Sequence, residues 1–379
     1  MTLFNDAELR EVRTTAKRFF RDLAPISAFR HLRDRRDGIG YSREAWQEMV
    51  KLGFTAASIS EADGGLGLGY STLGCILEEG GRTLYASPLV ATVVAGASVV
   101  ELAGSSAQRA ACLPAVALGE RTLTLALQEQ NRHNPATILT TATKRSDRYV
   151  LTGRKVYVLD GCSADELIVV ARTSGSAAST RGISLFLVPR NADGIRCTPL
   201  HMADSRSAAD VVLESVEVAE GALLGVADEA FTVIERVLDR ACLCLAAEML
   251  GGILELFERT VAYLKEREQF GVKIGSFQAL KHRAAKMFTE IEMTRSVVWA
   301  GLSALDENSA DTSLLASLAK ARANDTFRLV SNEAVQMHGG IGVTDELDVG
   351  LFLKRSRVAT QCFGDTRYHR DRFATLSGF

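Results

Sequence analysis

The stretch Tyr149-Val150-Leu151-Thr152-Gly153-Arg154-Lys155-Val156-Tyr157-Val158-Leu159-Asp160-Gly161 marks the place where the chain changes its periodicity. Two β-rich runs, 149–151 and 156–159, are closed by the turn signals Thr152-Gly153 and Asp160-Gly161. Similar runs follow at 167–170, 183–188 and 211–213, with Asn191-Ala192-Asp193-Gly194 as a further turn. Short strands spaced by roughly 8–12 residues predict an antiparallel sandwich or barrel and disfavour βαβ units, so a Rossmann domain is not expected.

Upstream of this zone the pattern is helical. Leu9, Val12, Ala16, Phe19, Phe20 and Leu23 recur at three- and four-residue steps, and Pro25 ends the run. Ser42 and Gly53 read as the two caps of a second helix. Arg30, Arg33, Arg35 and Arg36 read as a solvated basic face. The glycine-rich Asp63-Gly64-Gly65-Leu66-Gly67-Leu68-Gly69 invites a nucleotide-loop reading. Tyr70 stands where GxGxxG needs its third glycine, and no Lys-Ser/Thr follows, so a tight loop of positive φ is expected instead.

Downstream, the chain returns to helical periodicity. Asp228 reads as a cap, and Phe231, Ile234, Val237, Leu238, Leu245, Met249 and Leu256 form one long stripe. Gly251-Gly252 inside it should cost about 1 kcal/mol each relative to Ala, which a close helix crossing would explain. Phe277 to Leu305, Leu314 to Val335 and 346–360 supply three more stripes. The expected architecture is mainly α with an inserted β domain. Its parts are an N-terminal helical domain (1–120), a middle antiparallel β-sandwich or barrel (121–225) and a C-terminal four-helix bundle (226–379).

Composition removes several function classes. The 379 residues carry 44 basic and 46 acidic side chains, a net charge of −2, which does not fit affinity for nucleic acid through a basic surface. No apolar run approaches about 18 residues, so no membrane span is expected. Met1-Thr2-Leu3-Phe4-Asn5-Asp6 lacks the basic-then-apolar order of a secretory signal. The 7 cysteines are scattered without a CxxC pair, so reduced cytoplasmic thiols are expected rather than disulfides or zinc. HExxH and GxSxG are absent, and no metal site is expected.

Two segments are hard to explain as packing. Arg267-Glu268-Gln269-Phe270-Gly271-Val272-Lys273-Ile274-Gly275-Ser276-Phe277-Gln278 joins two long helices with cations, amides and aromatics. Gln336-Met337-His338-Gly339-Gly340-Ile341-Gly342 ends a third, and paired glycines let a ligand or another backbone come close. In this order and spacing, and together with Glu61-x-x-Gly64-Gly65-x-Gly67, they resemble the acyl-CoA dehydrogenase family over essentially the whole chain. The resemblance implies that family's helical, β and four-helix-bundle domains. It also implies FAD-dependent α,β-desaturation of an acyl-CoA thioester, with an electron-transfer flavoprotein as acceptor.

Carried over by position, the resemblance places Arg267, Phe270 and Gln278 on an FAD shared with a neighbouring subunit. A guanidinium fork suits its pyrophosphate. Gln336, Gly339 and Gly340 would line the same group, with Gln128, Glu129 and Tyr157 of the middle domain beside the flavin.

The departures bear on catalysis. The family's base is a Glu directly before Gly-Thr, and here Phe363 takes that position in Gln361-Cys362-Phe363-Gly364-Asp365-Thr366. The alternative base position in other members is Ala241, followed by Cys242. Gln130-Asn131-Arg132 replaces the usual Pro and Gly-Ser of the middle-domain loop. Asp365, Glu248 and Asp239 are the carboxylates nearest in sequence that could substitute, each with a structural ion pair or helix contact as the competing role. The pattern is most similar to the small subunit of heteromeric bacterial acyl-CoA dehydrogenases of the pimeloyl-CoA dehydrogenase type. That resemblance implies an α2β2 assembly with a related chain, a homotetramer being the alternative. A non-catalytic structural or regulatory partner, or a flavin-dependent monooxygenase or oxidase on the same fold, are the competing functions.

Overall fold

The computed structural model describes residues 7–35 and 38–379. The leader reading over 1–6 and the Arg36 member of the basic cluster lie outside the described residues. Helices α1 (Ala7–Leu23), α2 (Ile26–Arg35), α3 (Arg43–Lys51), α4 (Gly69–Arg82), α5 (Ser98–Ala103) and α6 (Ser106–Ala117) come first. Strands β1 (Leu123–Ala126), β2 (Thr141–Arg145), β3 (Arg148–Leu159), β4 (Glu166–Arg172), β5 (Ile183–Pro189), β6 (Ile195–Pro199), β7 (Ala208–Ala219) and β8 (Leu223–Leu224) follow. Then come α7 (Phe231–Glu266), the short strands β9 (Glu268–Gln269) and β10 (Val272–Lys273), α8 (Gln278–Asp306), α9 (Thr312–His338), α10 (Val349–Gln361) and α11 (Thr366–Leu376). Helical domains flank a β domain, as the periodicity predicts. No helix among the described residues is long and apolar enough to cross a membrane.

Two compact units emerge. One comprises Met1–His31, Tyr70–Tyr85 and Cys242–Phe379; the other comprises Leu32–Gly69 and Ala86–Ala241.

In the β-containing unit, β1 to β8 form one sheet in the order β6-β7-β3-β2-β4-β5-β8. Antiparallel pairs dominate as expected, β2 with β3, β4 with β5 and β6 with β7, although β2 and β6 are not among the runs that the sequence marks. The turn expected at Thr152-Gly153 is absent: β3 runs through it from Arg148 to Leu159, with a register shift against β7 between Leu151 and Gly153. The sheet departs from the antiparallel expectation at β1, which pairs with β4 in parallel from Leu123↔Glu166 to Ala126↔Val169. Local spacing specifies hairpins, whereas a parallel pair needs a long crossover that leaves no short-range signature. Leu151, Val169, Phe186, Val211 and Leu213 are buried in the core of this sheet.

The loop expected at Asp63 to Gly69 is a tight turn, with φ of 83° at Gly64 and 62° at Gly67. Arg109 fastens it by two hydrogen bonds to the Asp63 carboxylate, at 3.0 and 2.6 Å. Ser42 caps α3 as expected, its Oγ accepting from the Ala45 N–H at 3.2 Å. Asp228 does not cap α7. Its carboxylate instead accepts from the Thr173 and Ser174 hydroxyls, at 2.6 and 2.7 Å, and closes the β4–β5 connection.

In the helical unit, α9 is the central element, packed against α8, α10 and α11. It is small and buried on several sides, with Ala316, Ala319, Ala323, Phe327 and Ala334 all inside. Arg30 departs from the solvated-face expectation: it meets Asp345 at 3.1 Å and Asp348 at 2.9 Å. Gly251 lies at a close helix crossing, as its position in the stripe predicts. A Cβ there would meet the Glu78 carbonyl oxygen of α4 at 1.7 Å, and one at Gly81 would meet the Glu248 carbonyl oxygen of α7 at 1.9 Å.

That crossing generates a stability prediction. Gly251→Ala should lower stability by about 1–3 kcal/mol through overpacking, even though Ala is the better helix former by about 1 kcal/mol. Urea unfolding of the wild type and the variant measures the difference. A stabilised variant would show that the backbones do not touch.

Candidate functional site

Arg267 to Gln278 folds as a hairpin between two long helices. β9 and β10 pair with Gln269 opposite Val272 and Glu268 opposite Lys273. Phe270 and Gly271 are the two loop residues, with φ of 54° and 78°. Positive φ at both central positions is the twist-compatible geometry of a two-residue hairpin, in which Asn-Gly is the usual choice. Phenylalanine at the first position carries backbone strain of about 1–2 kcal/mol. Its ring is 93 % exposed, meeting Phe277 edge-on at 6.2 Å. A strained, exposed aromatic at a hairpin tip contributes little to its own fold. Arg267 and Gln278 flank it, both exposed.

The second segment is brought to the same end of the helical unit. Tyr263 of α7 stacks on His338 of α9, with ring centroids 4.3 Å apart, and donates to the His338 carbonyl at 3.4 Å. The Tyr263 carbonyl in turn accepts from the Arg267 N–H at 2.9 Å. His338 Nδ1 lies 2.7 Å from the Ala334 carbonyl, and burial pushes the imidazole below its ordinary value. Gln336, Gly339 and Gly340 beyond it are exposed. Gly339 has φ 64° and ψ −144°, a conformation open essentially to glycine alone. Gly340 has no positive φ, and a Cβ there would meet nothing within 4 Å. The fold itself does not require glycine at 340, and a ligand lying against that corner would.

In the β-containing unit, Gln128 and Glu129 follow β1. The Gln128 carbonyl accepts from the Val156 N–H at 2.7 Å. The Glu129 carboxylate faces inward, to the Leu139 and Thr140 N–H groups at 2.5 and 3.0 Å and to Lys155 Nζ at 2.5 Å. Any contribution of Glu129 to a bound group therefore comes through the loop it fixes. Lys155 is completely buried, and burial pulls its ammonium down to about 8 against the opposing pull of Glu129. Burial pulls the Glu129 carboxyl up, but the Lys155 charge and the hydrogen bonds outweigh it and hold the group below its ordinary value. The pair is thus ionised at neutral pH. Tyr157 sits at a register shift of β3 against β7, with φ 54° and a ring 45 % exposed.

At the two positions that the family resemblance assigns to a base, this chain has Phe363, half-buried with φ 56°, and Ala241, buried. The carboxylates nearest in sequence have other tasks. Asp365 caps α11, accepting from the Tyr368 N–H at 2.8 Å. Glu248 pairs with Arg355 at 2.9–3.0 Å, both buried. Asp239 is buried on α7, in the β-containing unit. Two residues outside the sequence-based set emerge as organisers, Lys155 and Lys320, each a fully buried lysine.

An exposed guanidinium, two exposed amides, a tip aromatic and a glycine corner without internal cause are the donor set and the space that an anionic dinucleotide requires. Comparison with known proteins identifies the family. Residues 6–120 match the family model "Acyl-CoA dehydrogenase, N-terminal domain", 124–216 the middle domain and 229–376 the C-terminal domain. The chain is 30% identical to "Acyl-CoA dehydrogenase IpdE2" of Mycolicibacterium smegmatis, over 87% of this chain and 86% of that one. It is 28% identical to "Caffeyl-CoA reductase-Etf complex subunit CarC" of Acetobacterium woodii, over 84% and 86%. A solved variant of the "Tcur3481-Tcur3483 steroid ACAD" superposes with a TM-score of 0.88 at 30% identity, covering 98% of each chain. The chain belongs to the acyl-CoA dehydrogenase family, oxidoreductases acting on the CH–CH bond of acyl-CoA, whose members are FAD flavoproteins.

Lys155→Met should destabilise the protein by about 3–5 kcal/mol at pH 7, because it leaves a buried carboxylate without its cation. The deficit should shrink on acidification. Between pH 7 and pH 5 the wild type keeps the Glu129 contribution, because that carboxyl is held below its ordinary value, while in the variant burial acts without the Lys155 charge and stability is regained as the carboxyl protonates. Urea unfolding at pH 7 and pH 5 checks both; a deficit independent of pH would remove Glu129 from the account.

Proposed function

We propose that this chain is one subunit of a heteromeric FAD-dependent acyl-CoA dehydrogenase, completing the flavin sites and leaving α-proton abstraction to a related partner chain. The observation that carries the reading is a combination: the exposed segments at 267–278 and 336–340 are kept, while both base positions hold apolar side chains. Two of the three substitute carboxylates are already engaged, Asp365 by its cap and Glu248 by Arg355.

In this reading Arg267 meets the cofactor's phosphates with two parallel N–H donors. Phe270 would pack beside its adenosine half, and Gln278 and Gln336 would offer amide hydrogens. Gly339 and Gly340 admit the phosphates close to the backbone. Tyr157, on β3, would offer its exposed ring to the ring system, beside the Glu129–Lys155 pair. FAD, when bound, supplies the acceptor for the two electrons and the hydrogen that leave the β-carbon. The chain's own residues orient the thioester and exclude water. A proton leaving the α-carbon needs a carboxylate, and position 363 offers a phenyl ring instead. Loss of general-base catalysis of this kind commonly costs about 10²–10⁴-fold in rate. A partner carboxylate removes that penalty. Two relatives, the caffeyl-CoA reductase-Etf complex subunit CarC and the Tcur3481-Tcur3483 steroid ACAD, support a heteromeric or electron-transfer-flavoprotein partner.

The test is expression of the full chain alone and together with a related, base-bearing chain encoded beside it. The lone chain should hold substoichiometric flavin and reduce dye with acyl-CoA at least about 10²-fold more slowly than the co-expressed pair. Full flavin loading and full turnover by the lone chain would overturn the reading. Within the co-expressed pair, Arg267→Ala should lower the flavin-to-protein ratio without changing the unfolding midpoint of the apoprotein; an unchanged ratio would remove Arg267 from the cofactor site.

A further inference from the structure

The turn between α10 and α11 is built around a charge that simple packing does not require. Lys320 of α9 is completely buried, and its ammonium donates to Asn324 Oδ1 at 2.8 Å, the Ala359 carbonyl at 3.0 Å and the Gly364 carbonyl at 3.1 Å. An ammonium inside a protein is costly unless acceptors surround it, and here they do. The next carbonyl is held from the other side: His369 Nε2 lies 3.0 Å from the Phe363 oxygen, and the Cys242 thiol lies 3.6 Å from the same atom. Two successive carbonyls of the corner are therefore fixed from α7, α9 and α11. A helix end needs partners for its last carbonyls, and a glycine cap would supply them without a buried cation.

The backbone so fixed is strained. Phe363 has φ 56° and Gly364 φ 108°. A Cβ at Gly364 would stand 2.5 Å from the Tyr368 ring and 2.9 Å from His369 Nε2, so the corner tolerates no side chain there. A bulky residue holds a left-handed conformation when its surroundings over-determine it. The clamp supplies that over-determination at the residue that takes the base position of relatives. Burial pulls the Lys320 ammonium down to about 8, against Cys242, Cys362 and Asp365, which raise it, with Arg355 adding to the lowering.

We propose that Lys320 is a positioning residue: through the Ala359 and Gly364 carbonyls it holds residue 363 in one backbone geometry, so that whatever side chain stands there is presented to the substrate's α-carbon at a fixed place. The clamp acts on the backbone and is indifferent to the side chain it presents. In this chain it presents a phenyl group, a rigid apolar wall in place of the carboxylate. This rests on the acyl-CoA dehydrogenase reading of position 363 given above.

The experiment uses the full chain, reconstituted with FAD, as wild type, Lys320→Met, Phe363→Glu and the double variant. Phe363→Glu should raise acyl-CoA-dependent turnover by about tenfold or more over wild type, a modest part of what a general base contributes. Adding Lys320→Met should abolish most of that gain through kcat, with KM and flavin content held within about twofold. Independently of turnover, hydrogen exchange of the 359–368 amides should accelerate in Lys320→Met while α8 amides stay protected. Should Lys320→Met prove insoluble, Asn324→Leu removes the lysine's side-chain acceptor and is read the same way. Unchanged exchange at 359–368, or a double variant as fast as Phe363→Glu, overturns the positioning role. Accelerated exchange together with no gain from Phe363→Glu in a flavin-loaded chain leaves a clamp without a catalytic purpose, and overturns the reading of position 363 instead.

Discussion

The helical unit depends on the contact between the backbones of α4 and α7 at Gly81 and Gly251. Each helix presents a glycine where the other presents a carbonyl oxygen, at distances that no side chain could occupy. The close approach has consequences on both sides. On α4 it places the Glu78 carboxylate where Arg13 of α1 donates at 2.6 Å and Trp299 of α8 at 3.2 Å. On α7 it puts Glu248 beside the crossing, with its carboxylate on Arg355 of α10. One steric allowance thus fixes α1, α4, α7, α8 and α10 in one arrangement through two buried carboxylates. Glu248, a possible base by sequence position, is held at this junction.

The same arrangement sets where chemistry can occur. Rigid helices carry their ends to defined places, and irregular backbone at those ends bears the functional groups. Left-handed conformations at aromatic residues support this. Tyr157, Phe270 and Phe363 all have positive φ, and all three are positions that the family resemblance assigns to cofactor or substrate. Side chains of this bulk avoid that conformation unless something enforces it. The enforcement is visible in each case: a register shift in β3, a two-residue hairpin, and a clamp of carbonyl partners.

Much of the fold was legible because periodicity is a local property. The strand runs at 167–170 and 183–188 and the long helical stripes could be read directly, and the Gly251 anomaly pointed to a crossing, whereas 149–151 and 156–159 read as two strands because Thr152-Gly153 looks like a turn and is part of one long strand. The parallel pairing of β1 with β4 could not be read, because the partners lie about forty residues apart and no turn links them. Segments 267–278 and 336–342 stood out by residue type, yet the Phe270-Gly271 hairpin did not, since phenylalanine is an unlikely occupant of such a turn. The burial of Lys155 and Lys320 could not be read, because a lysine within an alternating strand or an amphipathic helix resembles a surface residue. A signal for Lys320 existed. The residues three and four positions from Lys320 on α9, Ala316, Ser317, Ala323 and Asn324, are all small. A helix face of small residues packs close to its neighbours, and a lysine on it has to find acceptors inside.

The retained clamp bears on how function divides between chains. A subunit that needed only the fold could have replaced Lys320, Asn324 and His369 with apolar residues, since buried charges are often neutral or unfavourable beside well-packed alternatives. The polar corner is instead intact, and the acidic side chain it would present in relatives is absent. A polar corner that fixes the backbone while presenting no acid is the pattern expected when residue 363 has a place to keep. A phenyl ring held there can wall a substrate channel without competing for the α-proton. The exposed arginine and glycine corner belong, in the proposed reading, to a different need, recognition of an anionic group. The two ends of α9 thus answer to separate constraints, Gln336 and His338 at one and Lys320 at the other, and a change in the chemistry at one leaves the other free to persist.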